Sequence, residues 1–205
     1  MLLKCSSSKL QNQLTDGLDR LADEDALAVP YLTGGECTAL VEVCESLIFR
    51  EARPVRGKPG QEVYQDLELT TDIPRESLLF DLASRLEGDL QVALSRLSAA
   101  LLDYPFVIND FIVQRYFPGQ KGITPHRDHI RYRGIVAIVV LSGSGRFWVC
   151  DDRQGVGART VPGSPGDLLL MRAPDFAGMS DRPFHALSDI VQTRYSFGMR
   201  YDMSL

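Results

Sequence analysis

From residue 104 onward, glycine and proline cut the chain into short β-rich runs, and this limits the folds open to it more than any other feature. The runs span roughly 107–116, 134–141, 145–150, 158–161, 166–171, 184–188 and 193–201. Strands this short and this closely spaced pack as a sandwich or a jelly roll. The first half reads differently. Residues 1–28 are polar and acidic with weak helical patterning. After Gly34-Gly35, the spacing of Leu40, Val41, Val43, Cys44, Leu47 and Ile48 predicts an amphipathic helix over about 36–50. Pro54, Gly57, Pro59 and Gly60 mark a loop, and Val63, Leu67 and Leu69 a strand over 61–71. Pro74 opens the next element as an early-helix proline. Leucines then recur every three or four residues from Leu78 to Leu101, which predicts a helix over about 75–102 with one leucine-rich face to cover a sheet. Helices first and strands later imply an α+β layout, with helices buttressing one sheet. No repeat, low-complexity tract or interdomain linker interrupts the 205 residues, so one domain is expected, with a helical region over 1–103 and a β-rich core over 104–205.

A hydrophobic fraction of 44% suits an ordinary core. No apolar run resembles a leader peptide or approaches the roughly 20 residues of a membrane-spanning helix. A soluble, cytoplasmic protein without a membrane partner is expected. Cys5, Cys37, Cys44 and Cys150 form no CxxC pair and no metal spacing with histidine, so they read as reduced core or half-core thiols. Cys37 and Cys44, seven apart, share a helix face. The net charge of −5 is uneven: residues 1–100 carry 10 basic and 17 acidic groups, residues 101–205 carry 12 and 10. A nucleic-acid binder shows a broad basic face. Here only a local strip of Arg115, Lys121, Arg127, Arg131 and Arg133 qualifies, and a solvated mixed surface explains it equally well.

All three histidines, His126, His129 and His185, lie in the β-rich half. His126 and Asp128 are two apart, and on an extended backbone such residues point to one side. One metal can take both, with His185 as a third ligand from a distant strand. Two histidines and one carboxylate with open positions is the donor set of non-haem Fe(II) oxygenases. His129 falls out of that register and reads as a supporting or surface residue. In the run from Thr193 to Arg200, Arg194, Ser196 and Arg200 share parity, and Tyr195, Phe197 and Met199 face the other way. Two inward arginines on an apolar strand ask for a dianionic ligand or internal carboxylates, since an unpaired buried cation is costly. The planar guanidinium fork suits a carboxylate.

The order HxD, distal histidine, then RxS and RxxxxxR resembles the Fe(II)/2-oxoglutarate oxygenases. The run Val113-Gln114-Arg115-Tyr116-Phe117-Pro118-Gly119 ahead of His126 looks like their AlkB-like branch. The resemblance covers roughly residues 104–202. It implies a double-stranded β-helix (jelly roll) with Fe(II) held by His126, Asp128 and His185. It implies 2-oxoglutarate as cosubstrate, with Arg194 and Tyr116 on its distal carboxylate. Gln114 and Ser196 stand where that branch carries asparagine, Gln114 within reach of the same carboxylate. Arg200 would face the cosubstrate's other end or the substrate. The implied reaction uses O₂ and couples decarboxylation of 2-oxoglutarate to hydroxylation or demethylation of a substrate C–H.

The substrate is less constrained. Many nucleic-acid members of that branch carry an acidic, base-reading residue two positions beyond the metal aspartate, and here that position is Ile130. With a pI of about 5.2, a small molecule or a protein is favoured. Oxidative demethylation of alkylated nucleic acid is the alternative, and a non-catalytic metal-binding jelly-roll module is an alternative of another class. Trp148 reads as core, 163–167 as a turn, and 172–183 as a plain connection or a substrate lid. No oligomeric state is implied.

Overall fold

The computed structural model describes residues 7–205. Cys5 lies outside the described residues.

Two antiparallel sheets face each other. The larger has seven strands in the order β1 (Ala26–Pro30), β11 (Asp167–Arg172), β8 (Tyr132–Val140), β13 (Arg194–Asp202), β6 (Asp110–Tyr116), β5 (Glu68–Thr70), β2 (Arg50–Glu51). The smaller has six, in the order β10 (Arg159–Thr160), β9 (Arg146–Cys150), β12 (Phe184–Ser188), β7 (Gly122–His126), β4 (Val63–Asp66), β3 (Val55–Arg56). Three helices, α1 (Ser8–Leu21), α2 (Gly34–Glu45) and α3 (Leu78–Ser95), complete an α+β double-stranded β-helix.

The central strands of the larger sheet are apolar on both faces, and each parity serves a different core. Ile135, Ala137, Val139, Leu168, Leu170, Phe197 and Met199 pack outward under the helices, against Leu79, Leu82, Leu86 and Leu90 of α3. Val136, Val140, Leu169 and Met171 turn inward and meet Phe147, Val149 and Leu187 of the smaller sheet. The helix layer also holds a buried polar cluster. Gln11 Nε2 donates to Asp89 at 2.7 Å and the Tyr31 hydroxyl to the other Asp89 oxygen at 2.8 Å. Both Asp89 oxygens find partners there that water would otherwise supply.

Several boundaries depart from the sequence expectations. The leucine helix runs Leu78–Ser95, not 75–102. Leu97, Leu101 and Leu102 still pack on the core, but from the loop that follows. Leucines on a connecting segment extend a helical spacing without extending the helix. The helix expected over 36–50 runs Gly34–Glu45, opened by a capping box in which Thr33 caps and Glu36 reaches back. Residues 61–71 are not one strand: β4 and β5 belong to opposite sheets, and the chain crosses between them at Leu67. The described part of the polar N-terminal segment holds α1 and then enters β1, which pairs along its whole length with β11. Among the described residues the first half thus supplies five strands rather than one. Strand β7 was not expected, because Gly122, Pro125 and polar Thr124 mask it. Cys37, Cys44 and Cys150 are free and buried, as read from the sequence. Trp148 is only partly buried.

Candidate functional site

β7 and β12 are neighbours, and their register sets His126 directly opposite His185. The register slips by one between His185 and Leu187, and Gly122 makes the close approach possible. Gly122 has φ +80°, and a Cβ there would stand 2.1 Å from the Leu187 carbonyl oxygen. The two imidazole centroids are 4.2 Å apart. β7 ends at His126, so Asp128 is not on an extended strand as the two-residue spacing implied; it lies in the loop beyond. That loop still brings the carboxylate to the histidines. Asp128 Oδ1 is 3.9 Å from His126 Nε2 and 3.8 Å from His185 Nε2. One ligand atom from each of the three residues lies within 4.8 Å of the others.

The protonation states suit a divalent cation, which needs neutral imidazoles and an ionised carboxylate. Burial drives the pKa of His126 down, and burial plus the neighbouring His126 pushes His185 down to about 3. For Asp128, burial opposes ionisation, but the Arg200 guanidinium and both histidines outweigh it and hold the carboxyl at about 2. His126 Nδ1 lies 2.9 Å from the Thr124 carbonyl oxygen. That oxygen only accepts, so Nδ1 carries the proton and Nε2 presents its lone pair inward.

Two arginines hold Asp128. Arg200 Nε donates to Asp128 Oδ2 at 3.3 Å, and its Nη1 donates to Asp110 at 3.2 Å. The same guanidinium lies 5.0 Å from the Tyr132 ring centroid. Arg182, from the segment leading into β12, donates to the main-chain oxygen of Asp128. The segment over 172–183 is itself tied down: Arg172 grips Asp181 with two bonds of 2.7 and 2.9 Å, and Phe176 is fully buried. Sequence reasoning missed Asp110 and Arg182. Neither sits in a motif, and their contacts span 90 and 54 residues.

Between the sheets, behind the histidines, is a narrow chamber. Gln114, Tyr116, Arg194, Ser196 and Arg200 line it together with His126, Asp128, His185 and apolar residues such as Ile138, Phe147 and Leu169. All eight residues expected at the site therefore converge on it. The ladder explains the convergence: β13 pairs with β6 so that Arg194 faces Tyr116 and Ser196 faces Gln114. Arg194 is 2% exposed, and its Nε and Nη1 have no hydrogen-bond partner among the described residues. Burial lowers the pKa of Arg194 and raises that of Tyr116, whose hydroxyl stays a donor. His129 is exposed, and its Nδ1 accepts from the Arg131 amide at 3.3 Å.

No family model matches the chain, and no curated protein matches it. Solved structures do. A prolyl hydroxylase from Trichoplax adhaerens, in complex with a hypoxia inducible factor peptide fragment, superposes with a TM-score of 0.66 at 15% identity, over 97% of this chain and 94% of that one. A Pseudomonas putida prolyl-4-hydroxylase gives 0.66 at 16%, over 93% and 99%. OsALKBH1 gives 0.61 at 16%, over 86% and 98%. The chain shares their fold. Identities this low speak for architecture alone, and function rests on the site. Among the described residues, no helix is long and apolar enough to cross a membrane.

Proposed function

We propose that this chain is an Fe(II)- and 2-oxoglutarate-dependent dioxygenase in which His126, Asp128 and His185 hold the iron. The observation that carries the reading is Arg194. A guanidinium 2% exposed, with two unpartnered nitrogens among the described residues, shares a chamber with a two-histidine, one-carboxylate cluster. A buried cation without an anion is unfavourable, and a carboxylate ligand removes that penalty through paired hydrogen bonds. Tyr116, across the ladder, offers a second donor to the same carboxylate, with Gln114 and Ser196 beside it. Arg200 lines both this chamber and the outer cleft. Its contact with Asp128 supports a role in holding the metal carboxylate rather than the far end of the cosubstrate.

Bound iron and 2-oxoglutarate would supply activation of O₂, with the balance R–H + O₂ + 2-oxoglutarate → R–OH + succinate + CO₂. Where the oxidised carbon is an N-methyl, the product loses formaldehyde and the outcome is demethylation. The chain's own part is to keep both imidazoles neutral, orient the carboxylate and exclude water behind apolar walls.

Within this class a small molecule or protein substrate is favoured over alkylated nucleic acid. The local basic strip is largely neutralised: Arg115 pairs with Glu68, Arg131 with Asp202 and Arg133 with Asp175. The Arg194-to-Arg200 spacing and the fold shared with OsALKBH1 support placement near the AlkB-like branch. The fold is shared equally with hydroxylases of prolyl residues, which supports protein hydroxylation as a route. A purely structural metal site would not need Arg194 unpaired.

The test is an anaerobic titration of apoprotein with Fe(II) and then 2-oxoglutarate, followed by visible spectroscopy. A metal-to-ligand charge-transfer band is expected, absent in His126→Ala and Asp128→Ala. A folded, iron-loaded protein without the band would overturn the proposal and bring the non-catalytic module forward.

A further inference from the structure

In front of the histidines the chamber opens into a cleft of about 460 Å³. That size suits a small ligand. Its floor is aliphatic, from Val63, Leu67, Leu69, Ile112 and Ile123. Its charge is one-sided: Arg56, Arg127, Arg131 and Arg200 line it, against a single carboxylate, Asp128. The chain as a whole is at −5, so these cations are concentrated against the general balance.

The four arginines are not equivalent. Arg200 is engaged by Asp110 and Asp128, and Arg131 by Asp202 at 2.8 Å. Arg127 and Arg56 make no ion pair among the described residues. The guanidinium of Arg127 is nevertheless placed, lying 4.2 Å from the Phe184 ring centroid, with Arg153 on the same ring at 5.6 Å. Asp181, a carboxylate within reach of the charge of Arg127, is held in two bonds by Arg172. A guanidinium stacked on an aromatic ring keeps its donor edge free and loses little freedom on binding an anion.

We propose that the substrate of this site is a small organic acid, its apolar body on the aliphatic floor and its anionic group on Arg127, with Arg56 adding charge across the cleft. The inference rests on the oxygenase reading above. A polyanion needs a basic track beyond the cleft. The arginines that would form one, Arg115 and Arg133, are paired with Glu68 and Asp175. A cleft with apolar walls and cations of one sign concentrates small anions and turns away neutral analogues.

The experiment uses the full chain reconstituted with Fe(II) and 2-oxoglutarate. Matched pairs of acid and amide (hexanoate and hexanamide, phenylacetate and phenylacetamide, 3-phenylpropanoate and its amide) are added. Anaerobic perturbation of the charge-transfer band reads binding, and succinate formation under air reads coupling. Acids should act at concentrations about tenfold or more below their amides, the ratio expected of one charge-assisted contact. Arg127→Gln should raise the half-saturating acid concentration about tenfold and leave that of the amide where it was. Arg56→Gln provides the same comparison at lower amplitude if Arg127→Gln does not fold. Equal response to acid and amide across the panel, with the band present, overturns the inference and leaves the oxygenase reading standing. So does a methylated oligonucleotide or an acidic peptide that stimulates more strongly than every acid. Absence of the band overturns both.

Discussion

Replacing Arg194 by methionine should make the ligand-free protein more stable and abolish its response to 2-oxoglutarate. The side chain is 2% exposed, and two of its nitrogens lack partners among the described residues. Each buried donor left unsatisfied costs about 1–3 kcal/mol. Methionine has a similar length and no donor, and it would sit against Phe147, Leu169 and Leu187. Against the gain stands an imperfect fit of about 1.5 kcal/mol or less. The net is a stabilisation of about 1–4 kcal/mol, the range found when buried charges give way to apolar residues. In a domain of this size that raises Tm by about 2–16 °C. Wild type should gain about 2.7 kcal/mol more from 2-oxoglutarate at one hundred times its Kd, and the variant nothing. The assay is anaerobic thermal unfolding of both proteins, with and without Fe(II) and 2-oxoglutarate. A ligand-free variant less stable than wild type by about 2 kcal/mol or more, or one that keeps the ligand-induced shift, would refute the reasoning, since Arg194 would then have a structural partner or no role in the cosubstrate site.

Three other outcomes are expected. Arg182→Leu removes the donor to the Asp128 main chain and should weaken iron affinity by about tenfold with little change in Tm, read by chelator competition. Glu36 accepts from Thr33 N, Thr33 Oγ1 and Arg85 Nη1, each at 2.8 Å; burial opposes its ionisation, but these bonds outweigh it and hold the carboxyl at about 2 against an ordinary 4.5. Its folded pKa lies below the unfolded one, so its contribution of up to about 3 kcal/mol is present above pH 4.5 and is lost as pH falls through 2. Denaturant unfolding of Glu36→Gln should show a deficit at neutral pH that closes across that acid window. Leu86→Ala, at a fully buried position of α3, should cost about 2–5 kcal/mol, measured by the same unfolding.

The part of this protein legible in its sequence is the part written in short periods. The period-two pattern of β13 separates Arg194, Ser196 and Arg200 from Tyr195, Phe197 and Met199, and the fold honours that split between an inner chamber and a helix-covered core. The strand expected over 184–188 is β12 to the residue. The leucine spacing of α3 shows which face is covered, though not where the helix stops. The candidate cluster could be picked out because the chain has three histidines and one of them, His126, stands two residues before an aspartate. Side-chain direction along one element depends on local geometry, and local geometry is encoded locally.

What only the tertiary structure decided is what depends on contacts between distant segments. Register between β7 and β12 sets His126 against His185, and the loop after β7 rather than an extended strand delivers Asp128. The crossing of residues 63–70 from one sheet to the other, and the pairing of β1 with β11, are choices of partner that no local pattern specifies. The strand pattern leaves two kinds of partner open for Arg194 and Arg200, a dianionic ligand or internal carboxylates; Arg200 takes the internal ones, Asp110 and Asp128. Arg194, identical in type and parity, is left without one among the described residues. Sequence distinguishes an arginine from other residues but not a paired arginine from an unpaired one, because the energy of a buried charge is set by what the fold places within a few ångströms of it.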